Sequence, residues 1–286
     1  MIHARGPGEP ELIVAADPAA AAELAARRIA DALARATARR GRADWATTGG
    51  STPIGIYRHL AVAPLRDAVP WRSVQLWWGD DRFVGRDHPL SNVIAADQVL
   101  LGAAAFSGQS GAGDSGVGVA AGLEPGAPLP VANVHAIPMA EAIGDGYGPA
   151  WAAARYDGEL RAAAADGGLG VRDGLPVFDV VLLGVGGDGH VLSVFPDSTA
   201  WEAEAWALDV PPPTHIGPHV ARVTLHPGIL AVALEVLVVA HGAAKAAVLA
   251  DVLGPTRDVR RWPAQAARLA GATWILDAAA AAGLHR

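Results

Sequence analysis

The chain has 286 residues, 51% of them hydrophobic and 18% charged, and carries a formal net charge of -7 at pH 7. Its length and apolar content predict a globular protein with a sizeable core, and its acidity argues against nucleic acid or an anionic membrane as the main partner. Because the sequence has no cysteine, disulfides, thiolate catalysis and cysteine zinc sites are excluded. No stretch has the apolar run of a signal peptide or a membrane span, so we expect a cytoplasmic protein.

Strand-like and helix-like segments alternate along the chain. The strand-like runs are residues 11–15, 44–48, 74–78, 131–137, 180–183, 220–225, 234–240 and 273–276. Helices are predicted from the N-cap Asp17 to about Arg40, from Pro53, from Ser91 or Asn92 to Leu101, over 149–165, around Lys245 and after Asp277. Residues 201–213 look irregular. This alternation predicts an α/β protein with a mostly parallel sheet that is covered by helices on both faces.

The domain organisation is expected to be simple. No internal repeat and no linker divides the sequence, so residues 1–286 are predicted to form a single domain. Residues 107–130 are rich in Gly, Ser and Pro and show no periodic apolar signal. They are predicted to be a long flexible surface loop.

A bend suited to an anion follows the second strand. Gly49, Gly50 and Ser51 lead from this strand into a helix whose first turn holds Pro53. A strand, a glycine bend and a helix N-terminus in this order aim free backbone N–H groups and a hydroxyl at an anion.

Charged residues follow the next strand as well. Asp80, Asp81 and Arg82 come directly after the run 74–78 and Gly79. The two acids are either solvated turn residues or groups of which one contacts a sugar hydroxyl or transfers a proton. Spacing alone leaves both interpretations open.

The central stretch carries the strongest signal for a catalytic site. The apolar run 180–183 is followed by Gly184-Val185-Gly186-Gly187-Asp188-Gly189-His190, and ligands gather at the carboxyl ends of strands in open α/β sheets. The glycines formally match a dinucleotide fingerprint, but an aspartate in the loop would repel a pyrophosphate. Asp188 and His190 are either a turn aspartate and a helix-start histidine or a carboxylate that orients an imidazole base.

Two cations complete the set of candidates. The alternation of 220–225 brings Arg222 and Thr224 to one face of a strand. Lys245 is the only lysine in the sequence, which favours a compact ammonium beside a phosphate over a chance surface position. The other nine histidines are given no role. Among them, His215, His219 and His226 are too loosely spaced to indicate a metal site.

Six motifs in order resemble the 6-phosphogluconolactonases, which share a superfamily with glucosamine-6-phosphate deaminases. They are TTGGSTP (47–53), GDDRFV with HPLSN (79–84, 88–92), LLGVGGDGHVLSVFP (182–196), PHVARVTL (218–225), HGAAKA (241–246) and WILDAAAA (274–281). The resemblance implies a three-layer α/β/α sandwich with a Rossmann-like sheet. It also implies hydrolysis of 6-phospho-D-glucono-1,5-lactone to 6-phospho-D-gluconate, with no cofactor and no metal.

The same resemblance implies roles for individual residues. His190 would be the general base that activates water, with Asp188 as its partner. Gly49, Gly50 and Ser51 would line the phosphate, Arg222 and Lys245 would be the cations around it, and Arg82 would be an active-site arginine. The sequence has Asp80-Asp81-Arg82 where the family usually has Asp-Glu-Arg.

Two rival functions stay open beside the lactonase. A deaminase would share the phosphate loop and the Asp-Gly-His, but it has Asn-Glu-Pro where this chain has Val194-Phe195-Pro196, and Phe195 cannot carry a proton. A catalytically silent sugar-phosphate sensor would need the cations but no base. The expected partner is a small sugar phosphate lactone, bound by a monomer or a small homo-oligomer.

Overall fold

The computed structural model describes residues 2–3, 8–102 and 126–284, with residues 2–3 described as backbone only. Most of the predicted loop 107–130 therefore lies outside the described residues. Within the part of the chain that is described, no helix has the length and apolar character needed to cross a membrane.

Strands and helices alternate as predicted, but the helix expected after Asp277 is wrong, because the described residues there form only the 3₁₀ turn Ala280–Gly283. The strands are β1 Ile2–His3, β2 Glu11–Ala15, β3 Ala43–Thr47, β4 Val74–Trp78, β5 Asp80–Arg82, β6 Val134–His135, β7 Gly170–Arg172, β8 Leu175–Val177, β9 Val180–Leu183, β10 Ala207–Val210, β11 Arg222–Leu225, β12 Glu235–Ala240 and β13 Ala272–Asp277. The α-helices are α1 Pro18–Arg40, α2 Thr52–Leu60, α3 Leu65–Ala68, α4 Met139–Gly144, α5 Pro149–Ala165, α6 Ile229–Val232 and α7 Ala246–Val252. A π-helical stretch covers Ala96–Leu101, and short 3₁₀ turns cover Trp71–Ser73, Val131–Asn133, Thr199–Glu202, Ala243–Lys245, Pro263–Ala267 and Ala280–Gly283.

The main sheet has eight strands in the order β1-β2-β13-β12-β9-β3-β4-β6. All neighbouring pairs from β2 to β6 are parallel, and only the two-residue β1 pairs antiparallel, with β2. The strand that precedes the Asp-Gly-His motif, β9, lies in the middle of this sheet, between β12 and β3. Its carboxyl end is therefore flanked by strand ends on both sides.

Helices cover both faces of the sheet. Successive side chains of β4 point to opposite faces: Trp77 lies 6.1 Å from the ring of Tyr156 in α5, and Trp78 lies on the other face. On that other face, Tyr57 of α2 packs edge-on against Trp45 of β3. Burial on both faces explains why the parallel strands read as unbroken apolar runs, and it makes the fold the expected α/β/α sandwich.

The first helix shows how local signals define an element. The Asp17 side chain accepts a hydrogen bond from Ala20 N at 2.8 Å, and Pro18 occupies the first helical position. Gly41 ends the helix with φ of 73°, a left-handed conformation that glycine adopts at little cost. The prediction of a helix from Asp17 to about Arg40 is confirmed.

A second, three-stranded sheet was not predicted. It has the order β10-β11-β5 and is antiparallel, with Arg222 paired to Arg82 and Thr224 paired to Asp80. The expectation of an irregular stretch over 201–213 is therefore wrong for Ala207–Val210, which form β10. The expected strand 131–137 is likewise reduced to the two residues of β6, after a 3₁₀ turn. The small sheet joins the carboxyl edge of the main sheet, because Leu225 N donates to Gly79 O at 2.8 Å.

Candidate active site

The glycine turn after β9 places the carboxylate of Asp188 in contact with the imidazole of His190. Asp188 Oδ1 lies 2.5 Å from His190 Nδ1 and accepts a second hydrogen bond from His190 N at 3.2 Å. A Cβ on Gly186 would lie 2.0 Å from His190 Nδ1 and 2.7 Å from Asp188 Oδ1. Only glycine leaves room for this pair, and Gly189, at φ of 84°, completes the turn.

The contact with Asp188 defines which nitrogen of His190 can act as a base. An ionised carboxylate only accepts hydrogen bonds, so Nδ1 carries the proton and Nε2 keeps its lone pair. Among the described residues, Nε2 has no hydrogen-bond partner, and the side chain is 17% exposed. His190 is thus oriented, partly accessible and available to take a proton.

Asp188 also holds a second histidine that the sequence analysis gave no role. Its Oδ2 lies 2.7 Å from Nε2 of His215. Burial on its own would raise the pKa of Asp188, but the hydrogen bonds and charge of His190 and the hydrogen bond of His215 outweigh burial and hold this pKa well below its usual value. Asp188 is therefore an ionised carboxylate shared by two imidazoles.

Phe195 fills the space beside this pair. Its ring centroid lies 4.6 Å from that of His190 and 5.8 Å from that of His215. The guanidinium of Arg222 lies 5.0 Å from the centroid of the same ring. The aromatic ring thus lies beside both imidazoles and the cation, and it cannot carry a proton at this position.

Arg222 is a buried cation with few partners. The residue is 2% exposed, Nη2 donates to Pro218 O at 3.2 Å, and its buried Nε has no hydrogen-bond partner among the described residues. Burial lowers the pKa of Arg222, although nearby Asp80 opposes the shift. Since a buried donor without an acceptor is costly, an anion that reached this guanidinium would relieve the cost.

Lys245 lies at the start of α7, at the end of the 3₁₀ turn Ala243–Lys245. It is half-buried, and burial lowers its pKa while the negative charge of Asp188 opposes that shift. The negative charge of Asp188 likewise opposes the lowering of the pKa of Arg222. The structure therefore brings Lys245, Arg222 and the Asp188–His190 pair into one electrostatic neighbourhood.

Asp80, Asp81 and Arg82 form strand β5 rather than a solvated turn. Asp80 is 4% exposed, and its Oδ2 accepts a hydrogen bond from Ser193 Oγ at 2.6 Å. Arg82 Nη1 donates to Asn92 Oδ1 at 2.5 Å and to Leu90 O at 3.0 Å. The interpretation of the two acids as solvated turn residues is wrong, because both are buried and hydrogen-bonded.

Asp81 is the more deeply perturbed of the two acids. Its Oδ1 accepts hydrogen bonds from the backbone N–H groups of Asn92, at 2.6 Å, and Arg82, at 2.7 Å. Burial nevertheless raises the pKa of Asp81 to about 7, against the effect of these hydrogen bonds. Asp81 therefore supports the loop that carries Asn92, and its charge changes near neutral pH.

Asn92 joins three parts of the site, although the sequence indicated only a helix cap. Its Nδ2 donates to Asp80 O at 2.8 Å while its Oδ1 accepts from Arg82. A Cβ on Gly49 would lie 1.9 Å from Asn92 Oδ1, so Gly49 is the residue that lets the amide approach the glycine bend. The HPLSN motif was the available signal, but its partners are distant in sequence.

The glycine turn of β9 approaches the start of α2, directly after the bend Gly49–Ser51. A Cβ on Gly184 would lie 3.3 Å from Oγ1 of Thr52, the first residue of α2. Gly50 has a φ of 78°, and Ser51 is exposed and makes no capping hydrogen bond to α2. The structure therefore brings the predicted anion loop and the predicted catalytic turn together. Within residues 8–102 and 126–284, no group of three or more acidic or histidine side chains is arranged to hold a metal ion.

Comparisons with known proteins show which family and which fold this chain shares. Residues 16–275 match the family described as glucosamine-6-phosphate isomerases/6-phosphogluconolactonase. The chain is 35% identical over 286 residues to a 6-phosphogluconolactonase of Streptomyces coelicolor, covering 97% of this chain and 95% of that protein. A solved 6-phosphogluconolactonase from Trypanosoma cruzi superposes with a TM-score of 0.75 at 26% identity, covering 99% of this chain and 100% of that chain. A monomeric glucosamine-6-phosphate deaminase superposes with a TM-score of 0.66 at 17% identity, covering 95% of this chain and 99% of that chain, which shows a shared fold alone.

Proposed function

The chain belongs to the glucosamine-6-phosphate isomerase/6-phosphogluconolactonase family, and from this we propose that it hydrolyses 6-phospho-D-glucono-1,5-lactone to 6-phospho-D-gluconate in the oxidative pentose phosphate pathway. The observation that carries the proposal is the oriented His190, whose Nδ1 is held by Asp188 while Nε2 is left for chemistry. The 35% identity to a lactonase supports the same reaction.

In the proposed mechanism, His190 acts first as a base and then as an acid. Nε2 removes a proton from water as the water oxygen bonds to the lactone C1, and the carbonyl becomes a tetrahedral oxyanion. The C1–O5 bond then breaks, and O5 takes the proton back from the imidazolium. The ionised Asp188 stabilises that imidazolium between the two steps, and a general base of this kind contributes roughly 10²–10⁴-fold to the rate.

The phosphate is proposed to bind to the cations near this pair. Arg222 offers a buried guanidinium whose Nε lacks a partner among the described residues, and Lys245 offers a half-buried ammonium. The bend Gly49–Ser51 adds backbone N–H groups at the start of α2. Holding the phosphate fixes the sugar ring so that water can approach C1. The binding energy of the remote phosphate is thereby used to orient the reacting carbon.

The deaminase alternative receives no support from the position next to His190. A ring-opening isomerase needs a further group that carries a proton there, and the ring of Phe195 occupies this space at 4.6 Å from the imidazole. A silent sensor is also disfavoured, because binding alone does not require the close Asp188–His190 pair.

The proposal is tested by supplying the lactone and glucosamine 6-phosphate separately. Acid release from the lactone above the spontaneous rate, with no ammonia from the amino sugar, is expected. A His190→Ala variant should then lose at least ~10²-fold in kcat with a modest change in KM. Ammonia release, or an unchanged kcat in the variant, would contradict the proposal.

We infer a cytoplasmic enzyme, because a chain without cysteine gains nothing from an oxidising compartment. We further infer that the single domain acts on its small sugar phosphate as a monomer or a small homo-oligomer, without binding nucleic acid. Water, a base and hydrogen-bond donors suffice for the proposed hydrolysis, so the mechanism uses no cofactor.

A further inference from the structure

A segment of eleven residues, 211–221, connects strands β10 and β11 and reaches over the glycine turn of β9. The side chain of His215, 47% exposed, contacts Asp188 Oδ2 through Nε2 at 2.7 Å. Next to it, Ile216 Cδ1 lies 3.7 Å from where a Cβ on Gly187 would be. The segment therefore touches the catalytic turn at two consecutive residues.

The composition of this segment keeps it close to one conformation. It contains Pro211, Pro212, Pro213 and Pro218, and each proline restricts the backbone before folding as well as after it. His219 Nδ1 lies 2.6 Å from Pro213 O, which closes the segment on itself. A stiff connection loses little entropy when it holds a side chain at a fixed point.

We propose that His215 is a positioning residue of this site, whose imidazole holds the second oxygen of Asp188 so that the first oxygen stays aimed at His190. The inference rests on the proposed function for its kinetic consequences, but the geometry that carries it stands apart from that function. A carboxylate bound at one oxygen can rotate about its terminal torsion. A carboxylate bound at both oxygens has its plane defined, and the orientation of His190 depends on that plane.

The hydrogen bond from His215 also reduces the negative charge that Asp188 presents to His190. The groups acting on this carboxylate are His190 on its own turn, His215 from the facing segment, Arg222 on β11 and Lys245 at the start of α7. An N–H donated by His215 withdraws negative charge from the side that faces His190. Without it, Asp188 would stabilise the protonated form of His190 more strongly, and the base would be lost at a higher pH.

The test compares His215→Leu with His215→Gln, because a glutamine amide can place an N–H close to where Nε2 lies. For His215→Leu we expect kcat to fall roughly 10-fold or more, with KM within about threefold. The acid limb of the kcat/KM profile should also move to higher pH. His215→Gln should recover most of kcat and the position of the limb. Thr214→Val is the matched control, since Thr214 is the exposed neighbour of His215 in the same segment, and its side chain neither contacts Asp188 nor makes the contact that closes the segment.

An NMR titration of the His190 ring, in the absence of substrate, separates this inference from the proposed function. The midpoint should rise in His215→Leu and stay unchanged in His215→Gln and Thr214→Val. Equal losses in the Leu and Gln variants without movement of the limb, or a His215→Leu variant like wild type, would overturn the role of His215. Lack of lactonase activity in the wild type would instead overturn the proposed function, while the NMR titration would still decide the role of His215.

Discussion

Substituting Gly186 by alanine tests whether catalysis depends on how the glycine turn places His190 against Asp188. The new Cβ would lie 2.0 Å from His190 Nδ1. Since ordinary carbon–nitrogen contacts begin near ~3.4 Å, the ring must move by about 1.4 Å. Such a shift breaks the 2.5 Å hydrogen bond to Asp188. A displacement of about 1 Å can cost ~10²-fold in rate, so we expect kcat to fall by about that factor while overpacking costs about 1–3 kcal/mol of stability.

Gly187→Ala is the matched control for this substitution. Its Cβ would meet Ile216 Cδ1 at 3.7 Å, an ordinary contact, and it touches neither member of the pair. The assay follows acid release from the lactone at saturating substrate, after subtraction of the spontaneous rate, alongside thermal unfolding of each variant. If Gly186→Ala were folded and turned over within about threefold of Gly187→Ala, the reasoning from orientation would be refuted.

Two further predictions address the cations and the buried acid. Lys245→Ala should lower kcat/KM for the phosphorylated lactone far more than for the unphosphorylated lactone, because the ammonium is proposed to bind the phosphate. Equal losses in kcat/KM on the two substrates would rule out that role. Asp81→Asn should flatten the pH dependence of stability. With the pKa of Asp81 raised to about 7 in the folded protein, against about 4 in an unfolded chain, the folded state holds a proton that the unfolded state has released. The stability that this proton contributes is present at low pH and declines as the pH rises towards 7. Urea unfolding from pH 4.5 to 7.5 should show this decline in the wild type and less of it in the variant, and identical slopes would contradict the assignment.

Elements defined by neighbouring residues were predicted from the sequence with little error. Helix α1 has its cap residue Asp17 and its stop residue Gly41 at its own ends, so local chemistry suffices to define it. Strand β9 has an apolar run between turn residues and was found at its observed bounds, Val180–Leu183. The pairing of Asp188 with His190 was also local, because the two residues are separated by a single glycine.

Elements that depend on distant partners were missed. The four residues of β10 form a strand because β11 pairs with them, and a sequence of four residues with one exposed acid carries no periodic signal of its own. Asn92 acts on Asp80 and Arg82 across a turn whose path the sequence does not reveal. The spacing of His215 indicates no partner in the sequence, because its partner is Asp188, 27 residues earlier.

The central claim is that one ligand spans the site, with its phosphate on the cations and its C1 end at the imidazole. A crystal structure with bound 6-phospho-D-gluconate tests this directly. We predict phosphoryl oxygens within hydrogen-bond distance of Lys245 and Arg222, and the C1 carboxylate beside Nε2 of His190. A phosphate bound elsewhere, or a C1 carboxylate that the ligand cannot bring within reach of His190 while the cations hold its phosphate, would contradict the account.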